Sequence, residues 1–352
     1  MHRQPLFYII ISASCFGISP PLAKLLVADI PPVALAGLLY TGAFLGLSLY
    51  SLVVKAWSTA PHEQKASLRG KDIPWLAAAT LFGGIIAPIS LMFGLSRTSG
   101  FSSSLLLNLE GAATAVIAVL FFKENAGKRL WLALVCMTLA GGFLAWDPDQ
   151  GEFNLVGPLL ILLSMLGWGI DNNVTRHISA RDPIQIALIK GFFSGATSLL
   201  LAYLLGMEIP WNVKIILAIL LGAVSYGVSL VFFIKALEGL GSFRTGLFFS
   251  LAPFIGAVTS LILLREWIGW VMFPAAGLMI AGLWLMIEEK HSHLHVHRAA
   301  THTHVHTHDD LHHDHDHDEA PAKAHIHEHT HQQESHAHAH WPDTHHRHGH
   351  DG

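Results

Sequence analysis

Ten stretches of about 20 mostly apolar residues, set almost end to end, leave this chain few folds to choose from, because that is the length a helix needs to cross a bilayer. They lie near 6–28, 33–54, 74–95, 101–122, 128–146, 155–175, 184–206, 213–236, 243–264 and 268–287. The joining segments are short. The longest, "KAWSTAPHEQKASLRGKD", has no room for a soluble domain. The first run, from Pro5 to about Val27, lacks a small-x-small cleavage pattern and reads as a membrane-inserting helix rather than a leader. The predicted fold class is an all-α membrane protein of ten transmembrane helices, with the lipid bilayer as its main partner.

Charge placement sets the orientation. Only 13% of residues are charged, against about a quarter in soluble domains. From His291 onward ten acids face three bases, a net of −7, which leaves the first 290 residues at +3. The chain is thus an apolar, slightly basic body followed by an acidic, histidine-loaded tail. With the N-terminus in the cytoplasm, alternate short loops hold fourteen Lys and Arg, among them Lys65, Arg69, Lys123 and Arg181. The opposite loops hold four: Lys24, Arg97, Lys214 and Arg265. Bases favour cytoplasmic loops, so both termini are predicted cytoplasmic in a multi-pass protein of a prokaryotic cytoplasmic (inner) membrane. Cys15 and Cys136 both lie inside apolar runs and read as packing residues.

The two halves of the body resemble each other. "GLSRTSGFSSSLLLNLEGAATAVIAVLFFKE" aligns without gaps on "ALEGLGSFRTGLFFSLAPFIGAVTSLILLRE" at an offset of 142. "CFGISPPLAK" likewise aligns on "GWGIDNNVTR", and Pro32 on Pro183. Five spans per half is an odd number, so the second half enters the membrane inverted. Inverted repeats are frequent in secondary transporters, whose site lies near the midplane between the repeats; channels and membrane enzymes also use them. The predicted divisions are a first five-helix repeat over 1–146, a second over 147–290 and a disordered tail over 291–352.

Several landmarks recur together: Phe16-Gly17 and Trp168-Gly169 in the first helix of each half, Pro32 and Pro183 before the second, Lys123-Glu124 and Arg265-Glu266 after the fourth, and a Gly-rich fifth. With them the chain resembles the EamA-type family of the drug/metabolite transporter superfamily, over about residues 6–287. The resemblance implies export or exchange of small metabolites, amino acids or drugs. It departs from the family at "CFG", where many members have Trp-Gly, and at Leu39, where a basic residue is usual and which aligns with Lys190.

Gly- and Pro-interrupted spans in matching places point to a transport site. Here they are Phe16 to Pro21 and Trp168 to Asn173, and both are predicted to break mid-helix. Glu110 sits alone in an apolar run, where an ionised acid costs about 2.5–3.5 kcal/mol. Its counterpart is Ala252, so the fold does not demand it; it reads as a proton carrier, as an anchor for a cationic cargo, or as a neutral acid hydrogen-bonded to another helix, with Lys24 and Lys190 as candidate partners. Asp171 is a second intramembrane acid. Phe16, Ser19, Asn108, Trp168, Asn172 and Ser250 complete the candidate substrate and coupling residues. Glu124 and Glu266 read as caps of the following helix or as local ion-pair partners. Gly83, Gly84, Gly141, Gly142, Gly277 and Gly282 read as close-contact positions between helices.

No phosphate-binding Gly-rich loop, serine nucleophile elbow or His-Glu-x-x-His helix occurs, so an enzyme is not expected, nor a required cofactor, nor a nucleic-acid partner. The tail holds 23 of the 26 histidines, mostly in His-x-His steps. Neutral imidazole is a good ligand for Zn, Ni and Co. His293, His295, His304, His306, His313, His315, His317, His327 and His329 are the candidate ligands, with a tolerated low-complexity extension and a polycation below about pH 6.5 as other readings. The sequence therefore reads as a secondary active transporter that exports small metabolites or drugs by alternating access, with Glu110 either coupling the cycle to protons or holding a cationic group of the cargo. A divalent metal or metal-chelate exporter with the tail as collector or sensor is the alternative. A membrane-anchored metal-binding buffer is the alternative of another class.

Overall fold

A backbone amide in hydrocarbon finds no water, so an apolar run crosses the membrane as a helix that satisfies its own N–H and C=O groups. The computed structural model describes residues 3–57, 66–122, 128–147, 152–153, 155–178, 181–266, 269–287, 291–297, 300–306, 325–331 and 334–340. The chain divides into two units, Met1–Glu289 and Lys290–Gly352.

The first unit is helical: α1 (Arg3–Gly17), α2 (Ser19–Val27), α3 (Pro32–Trp57), α4 (Ile73–Ala79), α5 (Ala87–Leu95), α6 (Gly100–Leu106), α7 (Leu109–Phe122) and α8 (Lys128–Ala145) precede a short antiparallel pairing of β1 (Trp146–Asp147) with β2 (Glu152–Phe153). Then come α9 (Val156–Thr175), α10 (Pro183–Leu204), α11 (Val213–Gly222), α12 (Ser229–Phe249), α13 (Ala252–Leu263) and α14 (Met272–Ile287). Among the described residues, seven helical segments are long and apolar enough to cross a membrane: Gln4–Val27, Pro32–Val54, Gly70–Leu95, Gly100–Phe121, Lys128–Ala145, Pro183–Leu204 and Val213–Ala236. The remaining predicted runs hold α9, α13 and α14. Asp171, Asn172 and Asn173 lower the hydropathy of α9, and the other two are shorter, with 12 and 16 residues. Phe121, Tyr203, Ile262 and Trp270 stand exposed on the bundle, as lipid-facing side chains do, while Ile9, Leu35, Met92, Leu105 and Ile161 are fully buried.

Among the described residues, three passes are interrupted. The first breaks at Ile18, between α1 and α2, just before Pro20 and Pro21; proline is tolerated in a first turn, where no intrahelical donor is needed. The fourth breaks at Leu107–Asn108, between α6 and α7, and another at Ser250–Leu251, just before Pro253 in α13. The predicted break at Trp168–Asn173 does not occur, because α9 runs unbroken through it. No proline removes a donor there, and Asn173 Nδ2 donates back to the Gly169 carbonyl at 2.9 Å within the same helix. Two π-helical stretches, Thr80–Ile86 and Ala223–Val228, join α4 to α5 and α11 to α12. Helical pattern continues from Ser229 to Phe249, yet the rings of Phe233 and Phe249 lie 5.1 Å apart. A straight helix would separate them by about 24 Å, so the chain reverses between them.

Close backbone contacts bind the passes. A Cβ on Gly17 would lie 2.5 Å from the Ala252 carbonyl oxygen, and one on Gly256 would lie 2.6 Å from that of Gly17. Gly83 and Gly84 give way to Asp171 and Ser194, whereas Gly142 and Gly277, predicted as contact positions, face open space. Ser12 and Ser229 exchange hydroxyl-to-carbonyl bonds of 2.8 and 2.9 Å. Asp72 accepts from Arg181 at 2.7 Å, and Asp29 pairs with Lys214.

The second unit holds the histidine tail, whose described residues form two strand pairings. β3 (His291–His297) pairs antiparallel with β6 (Glu334–His340), and β4 (Ala300–His306) with β5 (His325–His331). The physical reason lies in the His-x-His step, whose period of two is that of a strand. The register sets His293 opposite His338, His295 opposite His336, His304 opposite His327 and His302 opposite His329. His313, His315 and His317 lie outside the described residues.

Candidate functional site

The break at Leu107–Asn108 explains how a lone acid survives inside the bundle. It starts a new helix at Leu109 and so puts Glu110 in a first turn, where free amides and the helix dipole favour negative charge. Asn108 is buried and its Nδ2 donates to the Leu105 carbonyl at 3.1 Å, closing the turn that ends α6. Across from it, α9 presents three consecutive polar residues. Asn172 Nδ2 donates to Glu110 Oε1 at 3.0 Å and to Thr114 Oγ1 at 3.1 Å, and Asn173 Nδ2 donates to the Thr114 carbonyl at 3.0 Å. Asp171 pairs with Lys190 of α10 and accepts from Thr175 Oγ1 at 2.9 Å. Lys190 and Asp171 are both within electrostatic reach of Glu110. One base therefore serves two acids.

An aromatic group lies beside this network. Phe16, the last full turn before the first break, has its ring 5.4 Å from Phe249, 5.8 Å from Tyr226 and 6.4 Å from Trp168. Tyr40 and Trp168 both donate to the Gly83 carbonyl, at 2.8 and 2.9 Å. That carbonyl belongs to the first π-helical stretch, and such stretches recur at functional sites. The buried Ser19 shares a hydrogen bond with Tyr226. Phe16, Tyr40, Lys190, Ser225, Tyr226 and Phe249 help to line a cavity of about 270 Å³. Ser225 Oγ is buried there with no hydrogen-bond partner among the described residues.

Glu110, Asp171 and Asn172 thus fall in one network, and Phe16, Ser19 and Trp168 in the aromatic group adjoining it. Ser250 sits half-buried at the break before α13, next to Phe249. Of the candidate partners for Glu110, Lys190 is near, but Lys24 is not engaged there. Its ammonium donates to the Leu95 and Thr98 carbonyls, each at 2.5 Å. Glu266 does cap a helix, but α6 rather than the one that follows it: its two oxygens accept from the Gly100 and Phe101 amides at 2.6 and 2.8 Å. Glu124 lies outside the described residues. Sequence reasoning missed Tyr40, Thr114 and Tyr226, and read Asn173 only as part of a helix break. The two tyrosines, polar tips in mid-span, were the available signal, since a buried phenol needs a partner. Among the described residues no group of three or more His, Cys, Asp or Glu could hold a metal ion.

Three comparisons bear on this arrangement. A family model described as the EamA-like transporter family matches residues 4–145 and again 155–288. The chain is 24% identical over 296 residues to an uncharacterized transporter of Methanothermobacter thermautotrophicus, covering 79% of this chain and 84% of that one. It is 21% identical over 287 residues to the uncharacterized transporter YetK of Bacillus subtilis, covering 78% and 84%. A solved structure titled "Crystal structure of protein" shares the fold with a TM-score of 0.56 at 15% identity, over 79% of this chain and 95% of that one.

Proposed function

The chain belongs to the EamA-like transporter family, a family of membrane transporters and not of enzymes, and from that premise we propose a secondary active transporter that moves a small molecule by alternating access. Export of a metabolite or drug across the cytoplasmic membrane, with both termini in the cytoplasm, is the direction we favour. The observation that carries the reading is the cavity beside the Glu110, Asp171 and Lys190 network, set among interrupted helices. Discontinuous helices near the midplane are where transporters of inverted-repeat design hold their cargo and coupling ion. The double match of the family model, once in each half, supports that design.

Charge count suggests the coupling. With all three groups ionised the network is one negative charge in excess, so it takes up one proton or one monocation per cycle. Lys190 satisfies Asp171, which leaves Glu110 as the exchangeable group; Asn172 holds it by a neutral hydrogen bond that survives protonation. The test is Glu110→Gln, measured as efflux from inside-out vesicles across a substrate panel, with and without a proton gradient. Gln keeps size and hydrogen-bonding capacity but carries no proton. Loss of gradient-dependent transport, with insertion and melting unchanged, is the expected result. Unaltered proton-driven transport would assign Glu110 a structural role alone.

A second reading concerns the tail. The tail holds 23 of the 26 histidines, mostly in His-x-His steps, and neutral imidazole is a good ligand for borderline divalent metals. This supports binding of Zn, Ni or Co by the tail, whether as a store or as a collector for metal cargo.

A further inference from the structure

We propose that Lys24 and Glu266 form a latch that shuts one end of the bundle, with the helix breaks at Ile18 and Ser250–Leu251 as its hinges; this rests on the cavity being the passage proposed above. The latched end is the one remote from the N-terminus, where α2 finishes. There the junction between α5 and α6, residues 96–99, is held from both sides. Lys24, from the end of the first pass, donates to the Leu95 and Thr98 carbonyls, each at 2.5 Å. Leu95 is the last residue of α5, where the helix dipole is negative, and Thr98 lies in the junction itself. Glu266, from just beyond α13, accepts from the first amides of α6 with both oxygens, at 2.6 and 2.8 Å. That end of the helix dipole is positive. A cation and an anion from distant parts of the chain thus each bind the pole they match, and each lies within electrostatic reach of the other.

Two further observations single this junction out. Arg265 adopts φ of +52°, the left-handed region that a side chain with a Cβ disfavours, and the turn it makes aims Glu266 at α6. A Cβ on Gly100 would meet Leu264 Cδ1 at 2.6 Å and Ser260 Oγ at 2.8 Å, so α13 is seated tightly on the start of α6.

The cavity lies on the other side of the hinges. Phe16 precedes the break at Ile18, and Phe249 precedes the one at Ser250. Gly157 at the start of α9 lies against Arg97 and Thr98, so α9 begins at the latched end and α10 begins at the opposite one. Ala187 and Lys190, in the first two turns of α10, therefore line the cavity from the unlatched side. The segments beyond the hinges, α2 and α13, are those the latch ties down. Breaking it frees both to swing about their interruptions and to open the cavity to the latched face.

The test uses two-sided accessibility of the full-length protein. Ala187→Cys, a half-buried position lining the cavity, is placed on a background of Cys15→Ser and Cys136→Ser and labelled with a membrane-impermeant maleimide in right-side-out and in inside-out vesicles. With the latch intact, labelling from the face bearing residues 96–99 is slow. Glu266→Gln and Lys24→Met each raise that rate about tenfold, the expected scale for losing a charge-assisted hydrogen bond of the stronger kind, and lower the rate from the opposite face. Arg265→Gly keeps the cap and removes the strain, so it shifts the ratio the other way. An unchanged two-face ratio in Lys24→Met and Glu266→Gln, in protein that remains monodisperse, overturns the latch. Labelling needs no turnover, so this result stands apart from any failure of the Glu110→Gln transport test.

Discussion

Glu110 and Asp171 carry the same formal charge in one network, yet they are held in different ways. Asp171 has a full counter-charge in Lys190, and their side chains keep only 9% and 18% of their exposure. Glu110 has a neutral donor, Asn172, and the start of a helix. Removing one partner of a buried ion pair costs about 3–5 kcal/mol, because the other charge is left uncompensated, while replacing both is often neutral. Asp171→Asn is therefore expected to lower the melting temperature in detergent well below that of Glu110→Gln. Asp171→Asn with Lys190→Met should recover most of the loss. Equal melting of Asp171→Asn and the parent would mean that the pair contributes no stability. The sequence made both acids visible, since a charge in an apolar run stands out on its own. It could not make the pairing visible: Lys190 is 19 residues from Asp171 and on another helix, and only the bundle's packing brings them together.

Among the elements, the interrupted passes decide the geometry, and they were only partly legible. Pro20 and Pro21 mark the break in the first pass, and Pro253 marks the one before α13, because a ring without an N–H cannot continue a helix. The break at Leu107–Asn108 has no proline; Asn108 bonding back to Leu105 is the only local sign. The polar run in α9 misled in the opposite sense. Its side chains bond to neighbouring helices and to α9's own carbonyls, so the backbone ladder stays whole. Glycine was similarly ambiguous from sequence, because a bare Gly reads the same at a crossing and on an open face. Gly256→Ala should destabilise, since its new Cβ would press on the Gly17 carbonyl oxygen at 2.6 Å, where two backbones cross. Gly142→Ala meets nothing within 4 Å and should stabilise α8 by about 0.5–1 kcal/mol through the gain in helix propensity. Thermal unfolding of the two variants in the same detergent checks the pair. Matching shifts would mean that the crossing of α1 and α13 yields more easily than its geometry implies.

On the scale of the whole molecule, the chain joins a bundle that resembles known transporters to a tail outside the family match, which ends at residue 288. Deleting residues 291–352 removes no helix of the first unit, which closes at Glu289, so the truncated body is expected to insert and melt as the full chain does. What it changes depends on the tail's task. A tail that only stores metal leaves transport of a non-metal cargo untouched and abolishes retention on an immobilised-metal column. A tail that feeds the passage acts by local capture, and tethering raises effective concentration most when free ligand is scarce. Truncation should then slow export at low internal Zn²⁺, Ni²⁺ or Co²⁺, and saturating metal should hide the defect, because diffusion alone fills the site. The measurement is export rate against internal metal concentration for the two forms in matched vesicles. A gap that closes as metal rises supports the collector. Superimposable curves at every concentration leave the tail as a store and remove the main support for a metal cargo. Neither result touches the proton question, since Glu110, Asp171 and Lys190 all lie within the first unit, and the truncation leaves all three in place.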